Sequence, residues 1–590
     1  MRTHREAFDG SPANRWLVSV SWWWVWPALA IVAWLPGIAS TALFDPDEGR
    51  NASIARGMAE NGDWLLPRLN GLPFLDKPFL YFALQAAALK LLGASELAAR
   101  LPSVVAAILL VGLVAWFARR VRGRDEAVLA AVTCAASLLA IAFARAATFD
   151  ALLALCTTAA LVAFYFAIED SSATRGSSFV PSHRRRWLAV AWFAMAVGTL
   201  IKGPVAILLP LSVAVAYALA RRRWRTVWSV EGPALCFGLL IVWLAVMEAK
   251  VPGFLRYALV EESWNRVTTT QFQRTGPVWY FLPVLLAGCF PWSVPVLVGA
   301  REFFRGSRPS GTLFATLWLL LPLILLSLSQ SKRPQYMLPL LPAVALLAAR
   351  ALVEERSRRW SLKIAATIWL LVGLVAAAAP ALAGDALGRA QGLSTGEVRE
   401  FAWRFAALAL LAGSGGLLLA RRRFLGIAAV ALPIVALPAL ASPLVSAVSE
   451  DRSTRTLAAA LAPLTAKEVS VVGIDTFVPS LPFYLGTSMI LSAEDLGEMT
   501  SNSMLHFSRE IASKQPESWR PADWWRVVLA EEPEKHAFVI KSSRRSEIRE
   551  LEDAGLARIF ASRKLVAFAL PLELSVVPSG VVVDEAGRPK

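Results

Sequence analysis

The chain has 590 residues, 56% of them hydrophobic and only 18% charged, with a mean hydropathy of +0.52. That is more apolar than a soluble globular protein of this size, and it points to a polytopic membrane protein. The net charge of +16 does not indicate a nucleic-acid partner, because the arginines sit in short clusters between apolar runs, as membrane orientation requires. The four cysteines, Cys134, Cys156, Cys236 and Cys289, all fall inside apolar runs and read as small core residues. The four histidines, His4, His183, His506 and His536, are too scattered to build a metal site.

Crossing a hydrocarbon core takes about 20 apolar residues, and about thirteen runs qualify as candidates. They begin near Trp16, Leu97, Val128, Ala151, Trp187, Val205, Trp228, Tyr280, Leu313, Met337, Leu362, Phe401 and Leu425. With a cytoplasmic N-terminus, every second loop should be basic. Those loops read "ARRVRGRDE", "SHRRRW", "RRRWR", "REFFRGSR", "EERSRRW" and "RRRF". The first run is longer than the core of a signal peptide and reads as an uncleaved anchor. Two loops on the opposite side are long, residues 44–96 and about 249–279, and the first contains stretches suited to helices lying along the membrane surface. After residue 446 hydrophobicity falls. The runs "EVSVVGI", "HAFVIKS" and "KLVAFALPL", with the helical "RSEIRELEDAG" before the last, predict a soluble α/β domain over 447–590. An odd number of crossings places that domain on the non-cytoplasmic side.

The first long loop opens with "FDPDEGR". Asp45 suits a helix N-cap, Pro46 the first helical position, and Glu48 the far end of a capping box. Asp47 then has no capping role, and Arg50 shares its helix face. Other unusual charges map to the same side of the membrane: Lys77 in "LDKPFL", Asp150 in "ARAATFD", Lys202 in "LIKGPV", Glu261, Glu262 and Arg266 in "VEESWNR", and Lys332, Arg333 and Tyr336 in "SKRPQY". Each has a bland reading as a dipole partner, a snorkelling cation or a solvated helix face. Cations on that side nevertheless run against the positive-inside trend. Together they suggest an anion site at the membrane surface, with Asp47 and Asp150 as its carboxylates.

No P-loop or dinucleotide fingerprint is present. A polyprenyl-phosphate sugar meets these constraints: its chain lies in the bilayer, its phosphate at the interface, and cations stabilise the phosphate released when the anomeric carbon is attacked. No cofactor is expected, and a divalent ion held by Asp76 or Glu261 is the open alternative. A lipid or solute transporter, and a non-enzymatic sensor, are the rival classes. Transporters place polar groups near the bilayer midplane and often carry repeats, neither of which is evident here.

The segments "FDPDEGRNASIARGMAENGDWLLPRLNGLPFLDKPFLYF", "LLGASELAARLPS", "IKGP", "GPVWYFLPVLLAGCFPW" and "SKRPQYMLPLLPA" resemble bacterial GT-C glycosyltransferases. The resemblance is greatest to the lipid A 4-amino-4-deoxy-L-arabinose transferases and the protein-mannosyltransferase-like enzymes. It covers roughly residues 20–350. It implies an inner-membrane, multi-pass enzyme, a monomer, with its C-terminal domain in the periplasm. It implies transfer of a sugar, with inversion, from a polyprenyl-phosphate donor to an acceptor such as lipid A or lipopolysaccharide, with a protein or another envelope glycan as the alternative acceptor. Asp47 and Asp150 are the implied catalytic carboxylates. Arg50, Lys77, Lys202, Arg266 and Tyr336 are the implied donor-phosphate contacts, with Lys332, Arg333, Glu48, Glu261 and Glu262 also assigned to the substrate site. Departures from the family pattern fall at Asn51–Ser53, at Asp76 where Glu is common, and at Glu262 where the aminoarabinose enzymes carry His. These bear on which sugar is used more than on the reaction class. A hydroxyl acceptor would call on Asp47 as general base; a phosphate acceptor would leave Asp47 and Asp150 to orient substrates.

Overall fold

The computed structural model describes residues 25–169, 181–265, 276–304, 310–391, 393–507 and 517–571. It is a multi-span helical membrane protein. Eight helices are long and apolar enough to cross a bilayer: Glu96–Arg122, Asp150–Glu169, Glu231–Lys250, Ser310–Leu328, Pro334–Val353, Glu355–Leu382, Thr395–Leu418 and Arg423–Asp451. Two further runs are broken. Arg124–Ala135 and Leu138–Ala144 meet at 61°, and Val278–Gly288 and Ser293–Ala300 at 112°, which brings the spans to at most ten among the described residues.

Three of the thirteen expected runs are not among these ten. The one near Trp187 forms the helix Pro181–Lys202, with three arginines at its start and Lys202 at its end. Two of the ten are bent for local reasons. The run near Val128 breaks where Ala136 leaves helical geometry and the Ser137 hydroxyl donates back to the Thr133 carbonyl. The run near Tyr280 turns at Cys289–Trp292 around Pro291, which has no N–H to continue a helix. The Val205–Ala220 helix is short, 16 residues with Pro210 inside. The first run, near Trp16, lies mostly outside the described residues.

Helix boundaries follow the local chemistry. Ser95 caps Glu96–Arg122 by accepting from the Ala98 N–H. Ser394 and Glu397 form a reciprocal capping box on Thr395–Leu418. Lipid-facing positions stay apolar, as with Ile241 and Val242, 63% and 65% exposed on the Glu231–Lys250 helix.

In the first long loop, the helix Asp47–Asn61 carries the acidic motif. It is followed by the small hairpin β1 (Arg68–Leu69) and β2 (Leu72–Pro73), then by the apolar helix Leu80–Leu92. The last spanning helix ends at Asp451. Beyond it lie β3 (Ser470–Ile474), β4 (Ile490–Ser492), β5 (Trp519–Arg520), β6 (His536–Lys541), β7 (Ala557–Ala561) and β8 (Leu565–Ala569). They form one sheet in the order β5-β4-β3-β6-β8-β7, parallel from β5 to β6 and antiparallel beyond. The central β3 and β6 are almost wholly buried, as continuous Val, Ile and Phe runs require in a covered parallel sheet. Ile548 and Leu551 of the amphipathic helix Arg545–Asp553 cover one part of it.

The loop leaving the carboxyl end of β3 is seated on the start of the first loop and its Asp47 helix, and the residue before β4 on the turn between β1 and β2. The Ser53 hydroxyl donates to the Pro479 carbonyl at 2.5 Å, Ser480 donates to the Asp45 carboxylate, and Asn70 exchanges hydrogen bonds with Met489 at 2.7 and 2.8 Å. The packing at Gly49 is so close that a Cβ there would lie 2.6 Å from the Ser480 Cβ.

Candidate active site

The charged opening of the first loop does more than cap a helix. The helix begins at Asp47, its N-cap is Pro46, and no side chain caps it. Glu48 turns inward instead. Its two oxygens accept from Arg100 Nε at 2.9 Å and Nη2 at 2.7 Å, from the Ala147 N–H at 2.7 Å and from the Phe44 N–H at 3.0 Å. Arg100 spends its remaining donors on the carbonyls of Ile38, Thr41 and Ala42. Burial alone would push Glu48 up, but Arg100 and these donors hold it below the ordinary carboxylate range. The capping-box reading and the substrate-site reading of Glu48 are thus both corrected, because every lone pair faces protein. Asp45 is half-buried one residue before the cap. Burial raises its carboxyl to about 7, and Ser480 pulls it part of the way back.

Asp47 lies on the open side of the same helix. Arg50, one turn on, donates from Nη2 to Oδ1 at 2.6 Å, and Arg333, arriving from the other end of the chain, donates from Nη1 to Oδ2 at 2.9 Å. Burial opposes the charge, but the two guanidiniums keep Asp47 below its usual range. Arg50 also lies over the Phe74 ring, 5.6 Å from its centroid.

Three residues beyond Arg333, Tyr336 presents its ring 4.9 Å from Lys202 Nζ, and Lys202 is paired with Asp150. Asp150 opens one helix and Lys202 closes another, so both charges sit at helix ends on one side. The continuous segment 333–336 links this pair to the Asp47 cluster. Lys77 is paired with Glu262 and also donates to the Asp76 carbonyl. Asp76 is buried and fully engaged, accepting from the Tyr257 hydroxyl at 2.7 Å and from the Asn502 and Ser503 N–H groups at 3.0 and 2.8 Å.

Asp47, Arg50, Arg333, Asp150, Lys202 and Tyr336 are thus brought together, and Lys77 with Glu262 forms a neighbouring pair. Glu261 is half-buried beside that pair. Arg266 lies outside the described residues. Lys332 is corrected: it is buried, its ammonium donating to the Ser327 and Ser329 carbonyls at 2.5 and 2.6 Å, where it closes the end of the preceding helix. Among the described residues no group of three or more His, Cys, Asp or Glu side chains is placed to hold a metal ion, and both Asp76 oxygens already accept hydrogen bonds.

Residues 76–248 match the family described as dolichyl-phosphate-mannose-protein mannosyltransferase. Over 363 residues the chain is 31% identical to the undecaprenyl phosphate-alpha-4-amino-4-deoxy-L-arabinose arabinosyl transferase of Edwardsiella ictaluri, covering 60% of this chain and 64% of that one. The Pseudomonas aeruginosa enzyme of the same name is 32% identical over 357 residues, covering 59% and 63%. The chain thus spans less than two thirds of the length of these relatives. The structure is similar to the crystal structure of ArnT from Cupriavidus metallidurans bound to undecaprenyl phosphate, with a TM-score of 0.76 at 24% identity over 94% of this chain and 98% of that one. The chain has a GT-C glycosyltransferase fold.

Within this GT-C fold, sequence reasoning missed the groups that support the site. Arg100 carried a usable signal, a cation one turn into an apolar helix. Ser480, Thr500, Asn502 and Ser503 carried none, because they reach the first loop from more than 400 positions away.

Proposed function

We propose that the protein is a membrane glycosyltransferase that moves a sugar from a polyprenyl-phosphate donor to an anionic envelope acceptor of the lipid A type on the periplasmic side of the inner membrane. The observation that carries this reading is Asp47, held between Arg50 and Arg333 beside the Asp150–Lys202 pair in a GT-C fold. The similarity to enzymes named for undecaprenyl-phosphate aminoarabinose transfer supports the donor class.

In the reaction, an acceptor oxygen attacks the anomeric carbon. The bond from that carbon to the phosphate oxygen breaks, and the electron pair leaves on polyprenyl phosphate, with inversion. Arg50, Arg333, Lys202 and Lys77 stabilise the charge that grows on the departing phosphate. The ion pairing of Asp47 supports an acceptor that needs no base. A general base works best with a pKa near the operating pH, whereas two arginines hold this carboxylate lower still than an ordinary aspartate. Asp47 therefore orients the sugar or its acceptor, and an acceptor that is already an anion needs no base. The family match over 76–248 favours a second reading, with a protein hydroxyl as acceptor.

The test is purified protein in nanodiscs, a panel of undecaprenyl-phosphate sugars, and either lipid A or an unfolded protein as acceptor. Release of undecaprenyl phosphate that depends on one sugar and on lipid A supports the reading. Release dependent on protein selects the second reading. Binding of the donors without release from any of them moves the protein to lipid transport.

A further inference from the structure

Arg50 is fixed at three points: Nη2 on Asp47 at 2.6 Å, the guanidinium over Phe74 at 5.6 Å, and Nη1 on the Thr500 hydroxyl at 3.2 Å. The last partner belongs to the C-terminal sheet region, 450 positions away. We propose that Thr500 is a positioning residue that aims the Arg50 guanidinium at Asp47, so that the C-terminal region completes the site on the first loop. This rests on the reading of Asp47 as the key carboxylate.

The backbone supports the assignment. Thr500 has φ 52° and ψ 36°, in the left-handed region. It is the one β-branched residue among the non-glycine residues with positive φ in the described chain. A β-branched side chain is a genuine outlier there, and glycine or asparagine would occupy the position with less strain. Such conformations persist where the surroundings over-determine them, and they cluster at functional sites.

The surroundings of Thr500 do this. Met499 and Ser501 on either side are buried, and Glu498 is tied to Lys541 at 2.7 Å. Ser501 caps the short helix Asn502–His506, whose first N–H groups are clamped by Asp76. The Thr500 side chain itself is exposed. Packing therefore gives no reason for a threonine, and what the side chain supplies is a hydroxyl at Arg50.

A hydroxyl needed only at Arg50 separates activity from stability. Thr500→Gly removes the hydroxyl and relieves the backbone, so it should melt no lower than wild type yet turn over about tenfold more slowly, the loss of one hydrogen bond to a charged group. The loss should appear in kcat with the donor KM unchanged. Thr500→Ser should stay within about twofold of wild type. Wild-type turnover in Thr500→Gly, a parallel fall in melting temperature and turnover, or failure of serine to restore turnover would each overturn the proposal.

A second measurement does not depend on the reaction. Guanidinium NMR of Arg50 in nanodiscs should show restricted rotation in wild type and in Thr500→Ser, and averaged Nη signals in Thr500→Gly. Identical Arg50 spectra in all three would overturn the proposal. If the wild type turns over no donor, the functional reading fails and the NMR result alone decides whether Thr500 positions Arg50.

Discussion

Asp47 and Glu48 are adjacent carboxylates on one helix, each paired with arginine, and they face opposite ways. The Glu48 side chain is 7% exposed and that of its partner Arg100 3%, whereas Asp47 is 35% exposed. Glu48 meets donors from the loop before the helix, from Arg100 and from the segment leading to Asp150, so its charge is spent on holding the loop to the helical bundle. Among the described residues Asp47 meets Arg50 and Arg333, and part of its side chain stays exposed. The pairing of charges alone does not separate structure from function; what distinguishes the two is whether any face of the ion pair is left for a ligand.

The largest effect should come from breaking the closed pair. Arg100→Ala leaves Glu48 buried without its counter-charge, a loss of about 3–5 kcal/mol. Little folded protein should survive detergent extraction, as read by size-exclusion chromatography and melting temperature.

Arg333→Ala attacks the open cluster. It should lower turnover about tenfold while costing little stability, because a partly exposed pair contributes about 1 kcal/mol or less. Removing one of the two cations also raises the Asp47 pKa. Activity that depends on the ionised carboxylate should then fail at a higher pH as the pH is lowered, visible as an upward shift of the acid limb of the rate profile.

Asp45 gives a smaller effect with a definite sign. Its folded pKa of about 7 lies above the ordinary 3.8, so the folded state keeps a proton that the unfolded state loses. Stability is lost as pH rises from about 4 to 7 and is not regained above that window. Asp45→Asn should flatten this dependence and raise stability at pH 8 by about 1–3 kcal/mol, measured by denaturation across pH. The smallest effect is the exposed pair of Arg526 with Glu550 in the C-terminal region, where Arg526→Ala should change stability by less than about 0.5 kcal/mol.

The contrast between the two carboxylates was only half legible in the sequence. Asp47 emerged because the capping motif left it without a role, Lys202 because a cation in that loop runs against the expected charge pattern, and Asp150 and Tyr336 through the family resemblance. Glu48 was misread for the same reason that Asp47 was found. Asp-Pro-x-Glu is a good capping signature, but the competing demand of a buried arginine on a neighbouring helix cannot be seen in local spacing. Long apolar runs exposed the helices, and short continuous runs of β-branched and aromatic residues the strands. The bends near Ala136 and Pro291 turn two expected spans into broken pairs, and run length does not register a bend. The seating of the C-terminal region on the first long loop depends on contacts across more than 400 residues, which no periodicity encodes.

The most direct test is to measure undecaprenyl-phosphate release and melting temperature side by side for Asp47→Asn and Glu48→Gln in nanodiscs. The account predicts that Asp47→Asn melts like wild type and loses about 100-fold in turnover through lost orientation, while Glu48→Gln loses stability and loses turnover only in proportion to the folded protein lost. Full turnover in Asp47→Asn, or a stable Glu48→Gln protein without activity, would contradict it.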